Sequence, residues 1–402
     1  MATAWRSCTA TSPPVAVPVA DAPKVLMVVE QLRRAVPGGI GAYARGLLAG
    51  LAQCVDDGDR VDLTLLASRN PELRAGRRSG HSPDPLARFG RPLRLSPLPG
   101  PLLTRAWDHQ WLHAPSGFAV VHSVSTAFPT PRHGAQRPVV TVHDLAWRRH
   151  PETATARGVR WHEAALRRAR HSGAALIVTS KLVAADLVGD GVDPDRITIV
   201  HGGSDHLEPE DPAQTEALLA RLGVHGEFLL TVSTLEPRKN VSRLVAAYSQ
   251  ARSTWPEPWP LVIVGPAGWG PELAGRTASE GVVFAGAVTD AALSGLYARA
   301  RAFAYVPLTE GYGLPPLEAM RMGTPSVVAN EVPSVVDLEE PGAPPAHIVD
   351  PLDVDEMAAA LTTVLTDDVV RAELAARGQA HARSRTWRTA AHQHIGLWRS
   401  LV

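Results

Sequence analysis

The sequence has 402 residues, enough for two domains that each bury a core of their own. Its 40 Lys and Arg residues balance 40 Asp and Glu residues, which excludes an overall field that would attract nucleic acid or a membrane. The two cysteines, Cys8 and Cys54, are too few for a disulfide framework or a four-thiolate zinc site, and we expect structural roles for both in a reducing cytoplasm.

The first 23 residues are predicted to form a disordered tail. They are rich in Ala, Thr, Pro and Val, but they lack the basic start and the long apolar run of a signal peptide. Nowhere do about 18 consecutive apolar residues occur without a charge or a proline, so no transmembrane helix is predicted. We expect a cytoplasmic protein, and peripheral attachment to the inner face of the plasma membrane stays open.

Short apolar runs recur in the first half of the chain. Continuous apolar character is typical of parallel strands that helices cover on both faces. The predicted strands are residues 24–30, 61–67, 120–123, 139–142, 175–179 and 197–200. Residues 79–101 are dense in Pro, Gly, Arg and Ser, which predicts a long loop. An α/β domain over residues 24–206 follows.

A polar, acidic stretch that begins at residue 206 marks the domain boundary, and a second series of strands and helices follows it. The predicted strands are residues 228–232, 261–265, 282–285, 302–306 and 325–329, and the helices between them are 241–253, 289–300 and 314–322. The predicted fold class is α/β, with two Rossmann-like, doubly wound domains (24–206 and 207–385) that face a central cleft. Residues 386–402 are predicted to form a last helix, which periodicity alone does not place. The cleft is the expected active site.

Three glycines follow the first predicted strand. Gly38, Gly39 and Gly41 stand just before an amphipathic run at residues 42–53. A glycine-rich turn between a strand and a helix exposes backbone N–H groups, and the helix dipole favours an anion there. The spacing is not G-x-G-x-x-G, and such turns also arise for steric reasons alone. Phosphate binding and a plain steric turn therefore both remain open.

A histidine and an aspartate, His143 and Asp144, come directly after the strand at residues 139–142. Ligands of doubly wound sheets bind at the carboxyl ends of the strands, so the position favours a functional role for His143. The alternative is that the imidazole only caps or hydrogen-bonds a neighbouring loop.

Two adjacent cations, Arg238 and Lys239, follow the strand at residues 228–232. A guanidinium fork grips phosphate oxygens and an ammonium adds a compact charge, which suits a diphosphate whose negative charge grows as it leaves. The alternative is a solvated basic turn. Asn240, the next residue, fits a helix cap.

Two glutamates eight positions apart, Glu310 and Glu318, follow the strand at residues 302–306. Gly311 and Gly313 between them permit close approach of the backbone, and the prolines beyond start a helix that holds Glu318 about one turn inside. Carboxylates accept hydrogen bonds from sugar hydroxyls while backbone N–H groups hold phosphates. A helix dipole that favours an acid explains one glutamate but not the whole string.

At these residues the sequence resembles the retaining glycosyltransferases of the group 1, family 4 type, which include bacterial mannosyltransferases and glycogen and sucrose synthases. The resemblance spans residues 24–398, and its sharpest marks are E-x7-E from Glu310 to Glu318 and L-E-P-R-K-N at residues 235–240. Residues 142–146, 38–41 and 199–203 also look like elements of that family. The implied fold is GT-B, in which the terminal helix crosses back onto the first domain.

The resemblance also implies roles for single residues. Arg238 and Lys239 would bind the donor diphosphate, Glu318 the ribose, and Glu310 the transferred sugar. The catalytic set is then Glu310, His143, Arg238 and Lys239, and the remaining donor-binding residues are Gly39, Gly41, Gly311, Tyr312, Gly313, Leu314 and Glu318. No metal or other cofactor is expected, because the cationic pair and the helix N-termini replace a divalent ion.

The mechanism that the resemblance implies is a front-face transfer with retention of configuration, in which the leaving phosphate helps to deprotonate the acceptor. The best prediction for the donor is GDP-mannose, and UDP- or dTDP-linked glucose or rhamnose are alternatives. Residues 330–337 depart from the family pattern, in which a serine and a further glutamate are frequent, and contacts to the base and sugar are less defined there.

The acceptor is predicted to be a glycan, a polyprenyl-linked sugar, a glycolipid or a small molecule. Five arginines in the predicted helix at residues 155–171 would contact anionic lipid if the acceptor is lipid-linked, or would form a solvated face. An epimerase of the same architecture and a non-catalytic nucleotide-sugar binding protein are the rival hypotheses. Nucleotide release that requires an acceptor distinguishes transfer from both.

Overall fold

A computed structural model of the protein describes residues 22–34, 36–69, 84–268, 280–338 and 342–402. The predicted tail lies outside these residues except for its last two positions, and so do Cys8 and the first part of the predicted loop at 79–101. Within them the chain forms two parallel β-sheets flanked by helices, which is the fold class that the apolar runs predict.

The first sheet is built by the N-terminal half of the chain. In the described residues its strands are β1 (Lys24–Val28), β2 (Asp62–Ser68), β3 (Leu93–Ser96), β4 (Val120–Ser123), β5 (Arg137–Val142), β6 (Ala175–Val178) and β7 (Ile197–Ile199). Their order is β3-β2-β1-β4-β5-β6-β7, and all neighbours run parallel. The strand order reverses between β1 and β4, so the switch point where ligands of such sheets bind lies there.

The helices of this half are α1 (Gly38–Asp56), α2 (Gly100–Asp108), α3 (Ala146–Arg149), α4 (Ala156–His171) and α5 (Lys181–Gly189). Shorter 3-10 turns cover Glu30–Arg33, Pro85–Phe89, Pro151–Thr153 and Pro194–Arg196. Side-chain caps define several of the starts. The hydroxyl of Thr155 accepts the amide of Gly158 at the start of α4, and Ser180 does the same for Val183 at α5.

The second sheet repeats this plan. Its described strands are β8 (Leu229–Val232), β9 (Leu261–Val264), β10 (Val282–Gly286), β11 (Ala302–Tyr305), β12 (Ser326–Ala329) and β13 (His347–Val349). The order is β10-β9-β8-β11-β12-β13, again all parallel. Since β8 lies beside β11, the switch point of this sheet lies between two strands whose ends are about 70 residues apart in sequence.

The helices of the second half are α6 (Pro212–Leu222), α7 (Val241–Arg252), α8 (Asp290–Arg299), α9 (Leu314–Arg321), α10 (Pro333–Val336), α11 (Val354–Thr366), α12 (Asp368–Ser384) and α13 (Trp387–Ser400), with a 3-10 turn at Pro237–Lys239. Residues 385–386 separate the last two helices, and α13 begins one residue inside the predicted last helix at 386–402. None of the helices in the described part of the chain combines the length and the hydropathy needed to cross a bilayer.

Two edge strands differ from the sequence expectations. The predicted loop at 79–101 contains β3 and a 3-10 turn, and α2 begins at its end, so the prediction of one long loop was wrong. The strand β13 was not predicted. Both strands are short, and a polar side chain interrupts the apolar character of each, Arg94 in β3 and His347 in β13, so neither produces the apolar run that marks a central strand. Prolines at positions 92 and 97 flank β3 and give this segment a composition that is typical of a loop.

The terminal helix α13 packs on α1 in the first half. Trp387 and Trp398 lie in the same buried cluster as strand residues of the first sheet and are at most 1% exposed. Close packing requires glycine on α1, because a Cβ at Gly46 would lie 2.1 Å from the Trp387 ring, and one at Gly50 would lie 2.1 Å from its carbonyl oxygen. Cys54, on the same helix, is fully buried in this core.

The two halves contact each other across the carboxyl ends of their strands. The hydroxyl of Thr179 donates to the Gly311 carbonyl at 3.2 Å, and the amide of Lys181 donates to Asp337 at 2.7 Å. Tyr312 reaches the other way, and its hydroxyl donates to the Gly202 carbonyl at 3.0 Å. The loops that follow β11 and β6 therefore meet at one place. The loop after β5 joins them there, since the Thr179 hydroxyl also donates to the His143 carbonyl at 3.2 Å, and the predicted site residues lie around this point.

Candidate active site

The loop after β11 holds Glu310 against the first domain. A Cβ at Gly311 would lie 1.8 Å from the His143 carbonyl oxygen, so only glycine permits this approach. Gly313 has φ +92, in the left-handed region, and a Cβ there would meet Val332 at 2.5 Å. The hydroxyl of Ser334 donates to the Gly313 carbonyl at 2.6 Å. Ser334, which belongs to the segment 330–337 that departs from the family pattern, thus supports the backbone of this loop.

The 3-10 turn after β8 places Arg238 and Lys239 beside that loop. The Arg238 guanidinium donates to the Thr309 carbonyl at 3.0 Å, and the Leu308 amide donates back to the Arg238 carbonyl at 2.9 Å. These two bonds join the ends of neighbouring strands at the switch point. A glutamate of the same turn, Glu236, accepts from Arg238 at 2.8 Å and fixes the guanidinium plane.

Glu310 lies at the centre of this cluster and is 9% exposed. One of its oxygens, Oε1, accepts from the Tyr305 hydroxyl at 2.8 Å and lies 3.0 Å from Arg238 Nη1. The same oxygen pairs with the Lys239 ammonium, which also donates to the Tyr305 hydroxyl at 2.9 Å. The structure therefore brings together three of the four predicted catalytic residues.

The charged groups of this cluster shift one another's pKa values. Burial opposes ionisation of Glu310, but the charges of Arg238 and Lys239 lower the pKa of its carboxyl to about 2. Burial and the charge of Arg238 lower the pKa of Lys239, although Glu310 acts in the opposite sense. The pKa of Arg238 is raised despite its burial, first by Glu310 and then by Asp144 of the other domain. Glu310 is thus a carboxylate at neutral pH.

Asn240 does not act as the predicted side-chain cap. It occupies the N-cap position of α7 with φ +57, but its side chain makes no capping bond. Its amide nitrogen instead donates to the carbonyls of Val306 at 3.0 Å and Pro351 at 2.7 Å, and the residue is 3% exposed. The side chain therefore links the ends of two neighbouring loops, because a left-handed backbone turns it away from the helix amides.

Glu318 lies in a second buried network, on the second turn of α9. Its Oε2 accepts from the Tyr297 hydroxyl at 2.8 Å, and its Oε1 lies 3.2 Å from His206 Nε2, a close polar contact rather than an aligned hydrogen bond. The Trp387 indole N–H donates to His206 Nδ1 at 3.1 Å. Because Nδ1 accepts, a ring hydrogen lies on Nε2, the nitrogen nearest to the Glu318 carboxyl group.

His143 lies on the first-domain side of the cleft. Its Nε2 donates to the Val124 carbonyl at 2.7 Å, and its ring meets Tyr43 edge-on with centroids 4.8 Å apart. Burial lowers the pKa of His143, so the imidazole is neutral at pH 7 with Nδ1 as its acceptor. The hydrogen bond to a neighbouring loop, the alternative considered from the sequence, is present, and it also sets the tautomer that the other nitrogen presents.

The glycines of the first loop differ from one another. The sequence had predicted a turn that precedes the helix. Helix α1 already begins at Gly38, so these glycines form its first turn. A Cβ at Gly39 would meet nothing within 4 Å, and the residue is exposed. A Cβ at Gly41 would lie 2.2 Å from the Pro37 side chain. Packing against Pro37 alone therefore requires glycine at position 41. Of the two explanations considered from the sequence, phosphate binding and a steric requirement, the steric one applies to this residue.

Four residues of these networks were missed by the sequence reasoning, namely His206, Tyr297, Tyr305 and Trp387. Only Tyr305 left a local signal, since it ends a buried strand five positions before Glu310. The others come from distant segments, and their contacts with the site depend on how the two halves pack.

A large cavity opens at the carboxyl ends of β1, β2, β4 and β5 in the first domain. It has a volume of about 1130 Å³, and His143 and Asp144 line its inner end. We call it the N-terminal cavity. Pockets for small ligands occupy about 300 to 1,000 Å³, so there is room for more than a single sugar ring.

One group of side chains has the spacing of metal ligands. In the described residues, donor atoms of Cys54, Asp59 and His392 lie within 4.8 Å of one another, where α1 meets α13. His392 pairs with Asp59 at 2.9 Å, and the Cys54 thiol donates to the Arg388 carbonyl at 3.6 Å. These atoms already have partners, and they lie away from the cleft.

Comparison with known proteins agrees with this architecture. Residues 221–384 match the family model of glycosyl transferases group 1, and residues 37–206 match that of glycosyltransferase family 4. The chain is 32% identical over 278 residues to O-antigen chain mannosyltransferase B of Escherichia coli, which covers 67% of this chain and 72% of that protein. It is 28% identical over 232 residues to the MMP alpha-(1->4)-mannosyltransferase of Mycolicibacterium hassiacum, 56% of this chain and 54% of that one.

Among solved structures, Anabaena HepE in complex with UDP-glucose aligns with a TM-score of 0.66 at 19% identity, over 94% of this chain and all of that chain. A sucrose-phosphate synthase from Thermosynechococcus elongatus aligns with a TM-score of 0.67 at the same identity, over 94% of this chain and 99% of that one. These likenesses show the shared fold. Together with the two family models and the relative at 32% identity, they show that the chain belongs to the family 4-type glycosyltransferases, enzymes with the GT-B fold.

Proposed function

We propose that this glycosyltransferase moves a mannosyl group from GDP-mannose to a glycan, a polyprenyl-linked sugar or a glycolipid, with retention of configuration. The observation that supports the proposal best is the cluster of Arg238, Lys239 and Glu310 at the switch point of the second sheet. It combines two fixed cations with a carboxylate that stays ionised, next to a loop that touches the other domain.

The cations would bind the diphosphate of the donor. Arg238 is held by Glu236 and the Thr309 carbonyl, so its fork is oriented before any ligand arrives. Such preorganisation matters in a water-poor site, because the charges that stabilise a leaving diphosphate need not reorganise during the reaction. A metal ion is not required for this neutralisation, and we expect transfer to continue when divalent ions are chelated.

The transfer step proposed here is a front-face exchange. The bond from sugar C1 to the leaving phosphate oxygen breaks, the acceptor oxygen bonds to C1 on the same face, and the acceptor proton passes to the departing phosphate. Glu310 would accept hydrogen bonds from the sugar and stabilise positive charge near C1. A neutral His143, whose Nδ1 is an acceptor, would orient a hydroxyl at the border with the first domain.

The remaining assignments concern the nucleotide. Glu318 would accept hydrogen bonds from the ribose hydroxyls. The backbone of Gly311, Tyr312, Gly313 and Leu314 at the N-terminus of α9 would approach the phosphates, together with the amide of Gly39, an exposed residue. Gly41 would contribute only by packing on Pro37. These roles follow the resemblance, and the buried position of Glu318 beside Tyr297 agrees with a group that is held in one orientation.

Mannose is preferred as the sugar because the curated relatives in Escherichia coli and Mycolicibacterium hassiacum are both named mannosyltransferases. UDP-glucose is the second candidate, since the solved structure of Anabaena HepE contains that donor in the same fold. The base contacts that would separate the two candidates are the least defined part of the site.

A donor screen tests the proposal. Binding of GDP-mannose, UDP-glucose, dTDP-rhamnose and an ADP-sugar to the full chain is measured by calorimetry, and we expect GDP-mannose to bind most tightly. Release of GDP is then followed with and without an oligomannoside acceptor and with a chelator present. Tightest binding of a UDP-sugar would replace the donor assignment, and nucleotide release that ignores every acceptor would reject transfer.

A further inference from the structure

The N-terminal cavity differs from the donor site in how its charges are satisfied. Its acidic side chains are already engaged by the protein. Glu30 accepts from the amide of Ser68 at 2.6 Å and from its hydroxyl at 2.7 Å. Asp108 accepts from the Trp161 indole at 2.8 Å and from Arg168 at 2.8 Å. Asp144, the third acid of the lining, accepts from the Ala146 amide at 3.0 Å. Each carboxylate is thus hydrogen-bonded within the protein, and that of Asp108 is also paired with a cation.

Three arginines around the cavity have no such partner. Arg34, Arg105 and Arg157 are exposed, line the cavity, and form no ion pair with any other residue that the structure describes. They come from the turn after β1, from α2 and from the first turn of α4, so three separate segments deliver positive charge to one space. Their neighbour Arg33 shows the contrast, since Asp84 binds both of its terminal nitrogens at 2.8 and 2.6 Å.

Aromatic rings line the wall of the cavity beside these arginines. Burial lowers the pKa of His162, which lines the wall, while Asp144 acts to raise it and Arg34 to lower it. The Trp147 ring stacks on His162 with centroids 4.5 Å apart. Trp161 lines the same wall, so aromatic faces that can pack on a sugar ring lie close to the arginines.

The inner end of the cavity adjoins the donor site. His143 lines the cavity, and its carbonyl lies under Gly311 of the donor loop. Asp144, which also lines the cavity, is near enough to raise the pKa of Arg238. A ligand that fills the cavity would thus end beside the sugar that the donor site presents.

We propose that the N-terminal cavity binds an acceptor that carries an anionic group, a phosphate or a carboxylate, which Arg34, Arg105 and Arg157 recognise at the outer end. The inference rests on the proposed function, because the inner end must receive the acceptor hydroxyl. Guanidinium groups suit either anion, since their paired N–H groups match two oxygens at once. Unpaired arginines on a flat surface would be ordinary, but three that line one cavity, whose carboxylates are hydrogen-bonded to other groups of the protein, favour an anionic ligand.

Matched sugars test the inference on the full chain with GDP bound. Calorimetry compares mannose with mannose 6-phosphate and mannose 1-phosphate, and glucose with glucuronate. We expect an anionic member of at least one pair to bind at least tenfold more tightly than its neutral partner. The phosphate and uronate arms separate the two kinds of anion. Equal affinities within every pair, including no binding of either member, would overturn the inference.

Variants locate the effect. R105Q and R157Q should each reduce the preference for the anionic sugar at least fivefold, whereas R160Q, a change on the exposed part of α4 outside the cavity lining, should retain it. Equal losses in R157Q and R160Q would contradict the assignment. Binding of GDP alone is measured in each protein, because the donor site does not involve these arginines. Failure of GDP binding in the unmodified protein would count against the proposed function, and a missing anion preference against this inference only.

Discussion

Charged groups are held in opposite ways in the N-terminal cavity and in the cluster of Arg238, Lys239 and Glu310, which we call the donor cluster. In the cluster, Arg238 and Lys239 are half-buried and lie within about 3 Å of Glu310, and they also donate to the Thr309 carbonyl and the Tyr305 hydroxyl, respectively. Around the cavity, Arg34 and Arg105 are exposed and have no ion-pair partner among the described residues. The first arrangement orients charges in advance for one ligand group, and the second leaves them exposed to solvent.

This difference indicates how the two halves divide specificity. The diphosphate of the donor is the same in every reaction cycle. A rigid cation pair therefore stabilises the same leaving charge each time without having to adapt its position. An acceptor varies in length and linkage, and arginine side chains with free rotamers accommodate that variation at the cost of ordering them on binding. Changes in the cluster should therefore alter turnover, and changes around the cavity should alter acceptor affinity.

The largest expected effect comes from Glu310→Gln. Amide substitution keeps the size of the side chain but removes the charge that faces the reacting sugar, so kcat should fall about 100- to 1,000-fold. Affinity for GDP should change by less than about threefold, because Arg238 and Lys239 remain in place. Initial rates and calorimetry measure the two quantities.

The control for this change is Glu331→Gln, since Glu331 contacts the cluster only through its carbonyl, which accepts the Glu310 amide at 3.2 Å. Near-normal turnover in E310Q would remove Glu310 from the mechanism and erase the contrast between the two regions.

The comparison also predicts a response to acid. The pKa of the buried His394 is lowered to about 4, and burial also lowers the pKa values of His122 and His143. Since the unfolded chain protonates these rings near 6.5, it binds more protons than the native state between pH 6.5 and 4, and stability falls as the pH falls through that window. His394 alone contributes a loss of about 3 kcal/mol below pH 4. Glu310, with a pKa of about 2, stays ionised throughout.

Urea denaturation at pH 7.5 and pH 4.5 measures this loss, and hydrogen exchange shows where it begins. Protection should decrease in the first sheet and α13 before it decreases around the donor cluster. In H394Q the slope of stability against pH should be smaller, while H133Q, at an exposed histidine, should keep it. Simultaneous loss of protection in the first sheet and around the donor cluster would contradict the predicted difference in acid sensitivity between them.

Lys239→Ala should weaken donor binding. Loss of a charged hydrogen-bond partner costs about 1.5 to 3 kcal/mol, which corresponds to roughly 10- to 100-fold in affinity for GDP. The effect on GMP should be smaller, because the ammonium is assigned to the diphosphate. Arg252→Ala, at the far end of α7, is the control. An equal loss for GMP and GDP would show that Lys239 acts on the fold of the site rather than on the diphosphate.

The smallest predicted effect concerns His206, which positions Glu318. His206→Phe should raise the KM for the donor about three- to tenfold with little change in kcat, since a polar contact of about 0.5 to 1.5 kcal/mol is lost. A role through Glu318 also predicts weaker discrimination between GDP and 2′-deoxy-GDP. The variant H225F, at an exposed histidine of the second half, is the control. Unchanged discrimination in H206F would leave His206 with a packing role only.

Much of the fold followed from local patterns. Central strands such as β4 and β8 produce apolar runs because both of their faces are buried, and these runs were predicted to within two residues at each end. The edge strands β3 and β13 were missed, because Arg94 and His347 interrupt their short apolar runs. Asn240 was assigned as a cap from its position, whereas its left-handed backbone directs the side chain elsewhere.

The sequence by itself determined which chemical groups the site contains, because Arg238, Lys239, Glu310 and His143 each follow a strand and their positions can be read along the chain. Only the tertiary structure decided which of them meet. Pairing of β8 with β11 brings together residues about 70 positions apart, and the return of α13 carries Trp387 to His206. Local patterns report the burial of a segment, but contacts between distant segments depend on strand order and domain packing, which no single segment encodes.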